Sequence, residues 1–134
     1  MNSVVNPKNV AAGLGELWSP RVVGEVNDTY VKVARLKGHL AWHNHENEDE
    51  LFLILRGRLT IELEGRPPVE IGEGEFFVVP RGLPHNPVAR EECQVLLVER
   101  KSTRHTGNVV TEMTRTIEEQ LRGFGAAPAE RQSL

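Results

Sequence analysis

An all-β barrel or sandwich with a short helix at each end is the fold class this chain predicts, on three observations. Short apolar runs recur from Val22 to Glu99, the breaks between them are rich in glycine, proline and asparagine, and no long helical stripe interrupts the series. Roughly nine short strands without an intervening long helix belong to antiparallel sandwiches and barrels, not to parallel sheets with crossover helices. At 134 residues the chain has room for one core, because domains cluster near about 100–150 residues. A single domain is expected over 1–134: an arm over 1–20, a barrel core over about 21–100, and a helix with a tail over 101–134.

In the arm, Asn6 followed by Pro7 is a helix start, with a capping side chain ahead of a proline at the first helical position. Val10, Leu14 and Leu17 then fall on one helical face, which predicts a helix ending near Trp18 to Pro20. Strands are predicted at Val22–Val26, Tyr30–Leu36, Leu40–His45, Glu50–Leu55, Arg58–Glu64, Val69–Ile71, Glu75–Val79, His85–Val88 and Gln94–Glu99. The clearest is RLTIELE, where Leu59, Ile61 and Leu63 alternate with Thr60, Glu62 and Glu64 in the period-two signature of a half-buried strand. After Lys101, Val110, Met113, Ile117 and Leu121 form a helical stripe with Gly123 as its terminator. Ala126 to Leu134 has no periodicity and is expected to fray.

Composition narrows the function. The formal net charge is −3 and no basic block or stripe appears, so nucleic acid and anionic membranes are poor partners. The longest apolar runs, Leu51–Leu55 and Phe76–Pro80, fall far short of the about twenty residues a bilayer requires. The opening residues lack the basic start and apolar stretch of a secretion signal, and Cys93 is the only cysteine. A cytoplasmic location follows as the simplest expectation.

Histidines carry the chemistry. His43 and His45 stand two apart at the end of a predicted strand, which would put both imidazoles on one face roughly 7 Å apart along the chain. Glu50 opens the apolar run LFLIL and shares a face with Phe52 and Ile54. A carboxylate buried there without a partner would be costly, and a metal ion would offset the cost. His85 follows the rigid turn from Pro80 to Pro84, which can return a third imidazole to the same place.

Arg35, Phe52, Ile54 and His105 are candidates for a substrate pocket beside this cluster. Arg35 either points inward to bind a carboxylate or phosphate or sits on the solvent side of its strand, the plainer reading. His105 lies in the polar stretch STRHTGN, which can lid the barrel mouth or merely connect to the last helix. Cys93 is read as a small hydrophobe, and Trp42 as a packing or subunit-interface residue.

Gly38-(x4)-His43-x-His45-(x4)-Glu50-(x6)-Gly57 resembles the first motif of the cupin family, and Gly74-(x5)-Pro80-x-Gly82-(x2)-His85 resembles the second. The 16 residues between Gly57 and Gly74 are similar to the spacers of small bacterial cupins. Two departures are visible: the first gap is one residue short, and Ala89 stands where an asparagine is common. The resemblance implies a double-stranded β-helix (jelly-roll) barrel, a homodimer, and one metal held by His43, His45, Glu50 and His85.

Three imidazoles and a carboxylate suit one divalent transition metal, whether Mn, Fe, Co, Ni, Cu or Zn. The expectation is a metal-dependent enzyme of isomerase, oxygenase or lyase type acting on a small polar metabolite. The alternative is a non-catalytic small-molecule binder or sensor, and a purely structural metal ranks third.

Overall fold

The computed structural model describes residues 3–124. Its seven strands are β1 (Arg21–Val26), β2 (Thr29–His39), β3 (Glu50–Arg56), β4 (Arg58–Leu63), β5 (Arg66–Gly72), β6 (Phe76–Val79) and β7 (His85–Arg100), flanked by α1 (Pro7–Ala12) and α2 (Ile117–Gln120). Every pairing between them is antiparallel. The order runs β1-β2-β7-β3-β6, with β4 joining β7 on one side and β5 on the other. The expected all-β jelly-roll barrel with a short helix at each end is what the chain forms.

β7 organises the barrel. Its first part pairs with β4 and with the end of β2, and its second with both β3 and β2. The expectation of two strands at His85–Val88 and Gln94–Glu99 is therefore corrected to one long strand. The polar stretch Arg90–Glu92 looks like a break in sequence, yet it is an exposed part of one continuous strand, at the point where the β2–β7 register shifts. Ala89 is wholly buried opposite Gly38, where β2 bulges, so the shortened gap and the replaced asparagine meet at one point.

Leu40–His45 is not a strand. Only an isolated bridge joins His43 to His85 there, and the nine strands expected reduce to seven among the described residues. β5 begins earlier than expected and includes Pro67 and Pro68, which an edge strand tolerates because one of its sides needs no ladder bonds.

Leu59, Ile61, Ile71, Val79, Val95 and Phe52 belong to the main core inside the barrel. A smaller cluster of Ala11, Val33 and Leu55 lies outside it, under α1. Asn6 caps α1 by accepting from the Asn9 amide at 3.1 Å, but the helix stops at Ala12, short of the expected Trp18 to Pro20. Its buried residue is Ala11, while Val10 and Leu17 are partly exposed. The arm instead runs along its own β2, with the Trp18 amide donating to the Arg35 carbonyl at 2.8 Å.

The C-terminal stripe reduces to the four residues of α2, which begins with a reciprocal capping box between Thr116 and Glu119. Val110 stands almost fully exposed. The expected fraying of Ala126 to Leu134 lies outside the described residues. No helix among the described residues is long and apolar enough to cross a membrane.

Candidate metal centre

The fold brings His43, His45, Glu50 and His85 together, each with one ligand atom within 4.8 Å of the others. All four are buried, His85 completely. Three pieces of backbone do the placing. Glu50 is the first residue of β3 and His85 the first of β7. The loop carrying His43 and His45 is tied down by backbone bonds: His43 and His85 exchange amide-to-carbonyl bonds of 3.0 and 2.9 Å, and the Gly82 amide donates to the His45 carbonyl at 2.8 Å. The two histidines thus converge from a pinned loop and not from the face of a strand.

Hydrogen bonds fix the ring chemistry. A carbonyl oxygen can only accept, so the 2.8 Å contact of His43 Nδ1 with the Ala41 carbonyl and the 2.9 Å contact of His85 Nδ1 with the Leu83 carbonyl both place the proton on Nδ1. In the neutral ring the lone pair is then left on Nε2. His85 Nε2, both ring nitrogens of His45 and Glu50 Oε1 are buried without a hydrogen-bond partner.

Glu50 Oε1 lies 3.4 Å from His45 Nε2 and 3.5 Å from His85 Nε2, close enough for charge attraction but without hydrogen-bond alignment. Buried polar atoms are rarely left unmet. Four in one place, three of them imidazole nitrogens and one a carboxylate oxygen, are donors of the kind that hold a cation.

The electrostatics agree. Burial pulls the His43 pKa down to about 4, and the neighbouring His85 acts in the same direction, so the ring is neutral near pH 7. Burial also opposes a charge on His45, but the Glu50 carboxylate outweighs it and the net shift is upward. Glu50 would be raised by burial, yet the imidazoles of His45 and His85 hold it well below the usual carboxylate range.

A narrow cavity of about 30 Å³ opens onto His43 and Glu50. Trp18, Leu36, Leu40, Phe52 and Leu97 are among its walls, and His105 completes its polar end. The Phe52 ring meets His85 edge-on, with centroids 6.4 Å apart. Trp18 adopts φ 56°, a left-handed backbone uncommon for a bulky residue, with its indole Nε1 donating to the Lys37 carbonyl at 2.7 Å.

Phe52 and His105 therefore line the cavity and the other two pocket candidates do not. Ile54 is packed in the core, 1% exposed, without lining the cavity. Arg35 points outward, where its guanidinium pairs with Glu92 at 2.7 Å and donates to the Leu14 carbonyl at 2.6 Å. Ala34 and Leu36 take the inward positions on either side of it.

Cys93 is fully buried and its thiol is pushed up to about 12 by burial, in keeping with a packing role. Trp42 is half exposed.

Sequence reasoning missed a second buried polar group next to the first. Lys32, 1% exposed, pairs with Glu99 at 2.9 Å and donates to Gln120 of α2 at 2.5 Å. Glu99 is directly opposite Glu50 in the β3–β7 ladder. Burial, followed by the Glu50 charge, raises the Glu99 carboxyl well above its usual range. The signal was legible in part: Lys32 shares the parity of Ala34 and Leu36, and Glu99 that of Val95 and Leu97, so both charges lie on apolar faces.

A family model described as a cupin domain matches residues 32–99. The crystal structure of a cupin-2 domain containing protein from Shewanella frigidimarina superposes with a TM-score of 0.70 at 34% identity, covering 73% of this chain and 95% of that one. The uncharacterized protein YdbB of Bacillus subtilis (strain 168) is 29% identical over 101 residues, 75% of this chain and 89% of that protein. A 3-hydroxyanthranilate 3,4-dioxygenase 2 of Aspergillus fumigatus is 34% identical over 82 residues, which make up 58% of this chain and 43% of the dioxygenase. The chain thus spans less than half the length of that enzyme. With both histidine motifs set in an antiparallel barrel and the family match running from β2 to the end of β7, this chain belongs to the cupin family.

Proposed function

We propose that His43, His45, Glu50 and His85 hold one divalent transition metal and that the protein is a metal-dependent enzyme acting on a small metabolite. The observation that carries this reading is the convergence of buried, unpartnered Nε2 and carboxylate atoms, with the Nδ1 protons of His43 and His85 already committed to carbonyls. The N3O donor set suits Mn, Fe, Co, Ni, Cu or Zn. When bound, such an ion supplies Lewis acidity and open positions for water, dioxygen or a chelating ligand.

The chain's own residues shape what reaches it. Glu50 offsets part of the ionic charge, and the aliphatic and aromatic walls exclude water and strengthen electrostatic effects inside. The lining favours a ligand that is mostly hydrocarbon with one oxygen-bearing end over a polyhydroxylated sugar. Among isomerase, oxygenase and lyase chemistry, the similarity to a dioxygenase supports the oxygenase type.

A homodimer in the cytoplasm is part of the same proposal, supported by exposed apolar side chains at Trp42, Phe76 and Val78 and by a lone, unpaired cysteine.

The test strips the protein with a chelator, reloads it with each candidate metal and screens small oxygen-bearing metabolites by mass spectrometry. Turnover restored by one metal and lost on chelation is expected. No metal-dependent product in any loaded form would contradict an enzyme and favour the second reading, a non-catalytic binder. That reading has one observation behind it: beyond the four clustered side chains, His105 is the only titratable residue lining the cavity among the described residues.

A further inference from the structure

His105 differs in kind from the clustered histidines. It comes from the stretch after β7 and not from the barrel, yet its ring lines the same cavity as His43 and Glu50. Its Nδ1 receives the Arg115 backbone amide at 2.9 Å. An amide can only donate, so Nδ1 is the acceptor and the neutral ring carries its proton on Nε2. His43 and His85 have the opposite tautomer, with Nδ1 protonated and Nε2 free to bind a cation. Nε2–H of His105 has no hydrogen-bond partner among the described residues.

The stretch that carries His105 is locked to the loop bearing the clustered histidines. The Asn44 amide donates to Asn108 Oδ1 at 2.9 Å, and the Asn108 amide donates back to the Asn44 carbonyl at 3.1 Å. Gly107, at φ 56°, sits against that carbonyl so tightly that any Cβ would overlap it. Thr106 and Thr114 are hydrogen-bonded at 2.7 Å across the same stretch. His105 is therefore held in fixed relation to His43 and His45.

The rest of the cavity wall is hydrocarbon, and no lysine or arginine lines it among the described residues. We propose that His105 is a ligand-positioning residue whose Nε2–H donates to an oxygen of the bound molecule, and that the cavity selects a compact ligand with an apolar body, one oxygen-bearing head and no second charged group. A second carboxylate or a phosphate would have to leave water with no counter-charge to meet it. At about 30 Å³ the cavity has room for little more than one or two waters, so even a compact ring enters only with outward movement of the covering stretch. This inference rests on the metal reading above.

The probes are catechol and 3,4-dihydroxybenzoate, which share a head and differ by one carboxylate. Both are titrated into the full chain loaded with Co(II), and the visible cobalt spectrum is followed. Catechol should bind at least about tenfold more tightly than the acid. His105→Phe should weaken catechol by about fivefold to tenfold, the effect of one hydrogen bond, without changing cobalt content. His105→Gln, which keeps an N–H donor, should restore most of that loss.

Equal or tighter binding of the acid, no effect of His105→Phe, or no spectral response to either probe with cobalt in place would each overturn this inference and leave the metal centre standing. Failure of the unmodified chain to retain cobalt would overturn both, and the cobalt content distinguishes the two failures. The probe comparison needs no variant, so the charge rule is decided even if a substitution at 105 disturbs folding.

Discussion

Two buried polar clusters lie side by side in this barrel, joined where Glu50 faces Glu99 across the β3–β7 ladder. In one, Lys32 is paired with Glu99 and hydrogen-bonded to Gln120, so the chain supplies its own counter-charge. In the other, three imidazoles surround Glu50 and several of their best acceptor atoms meet nothing. Depth does not separate them, since Lys32 and His85 are equally inaccessible. The difference is the kind of partner: a lysine ammonium meets one oxygen of Glu99, whose Oε2 is left unmet, whereas Glu50 Oε1 faces only imidazole nitrogens that themselves lack hydrogen-bond partners.

The comparison can be broken most forcefully at Lys32. Lys32→Met leaves Glu99 buried without its cation and should cost about 3–5 kcal/mol of stability, measured by urea unfolding of metal-free protein. Lys32→Met with Glu99→Gln should recover most of that. A single substitution within 1 kcal/mol of the parent would show that Glu99 does not depend on Lys32 for its counter-charge.

Acid should act next, and on the other cluster. His43 and His105 have folded pKa values of about 4 against an ordinary 6.5, because burial opposes their charge. The unfolded chain therefore binds protons that the folded chain refuses, and stability present above about 6.5 is lost as pH falls towards 4. His45 runs the other way. Its raised pKa adds stability below 6.5 that disappears as pH climbs through its folded value. Metal-free protein should thus be most stable near pH 6.5, whereas loaded protein, which needs neutral imidazoles, should keep gaining above it. Thermal melts across pH 4–8 with and without metal check both limbs, and identical profiles would count against a cation site.

Smaller effects sharpen the contrast. His85→Ala should reduce metal affinity by more than about a hundredfold while costing metal-free protein only roughly 1–2 kcal/mol in lost packing. Gln120→Ala should cost about 1 kcal/mol and leave metal content unchanged. Metal titration followed by unfolding of the stripped proteins separates the two kinds of residue.

How much of this the sequence reveals depends on which faces of a strand are buried. In β4 the alternation of Leu59, Ile61 and Leu63 with polar residues gave the inward face directly, because its other face meets solvent. β2 is covered on both sides: Ala34 and Leu36 face the barrel, while Val33 lies under α1. Hydrophobicity therefore did not say which parity points inward, and a one-residue error in parity sends Arg35 to the wrong face.

The four clustered side chains stood out through residue type and spacing, although the strand assigned to His43 and His45 does not exist. Their loop converges through backbone bonds to His85 and Gly82, which no local pattern reveals. The Lys32–Gln120 contact spans 88 positions, and Trp18 reaches the cavity through a left-handed turn. Both depend on tertiary packing.

The most direct test of the central claim is a crystal structure of protein purified without chelator, with anomalous scattering collected at the absorption edge of the metal that elemental analysis finds. One peak per chain is predicted, within coordination distance of Nε2 of His43, His45 and His85 and of the Glu50 carboxylate. Four ordered side chains with no peak among them, or a peak held by other residues, would contradict it.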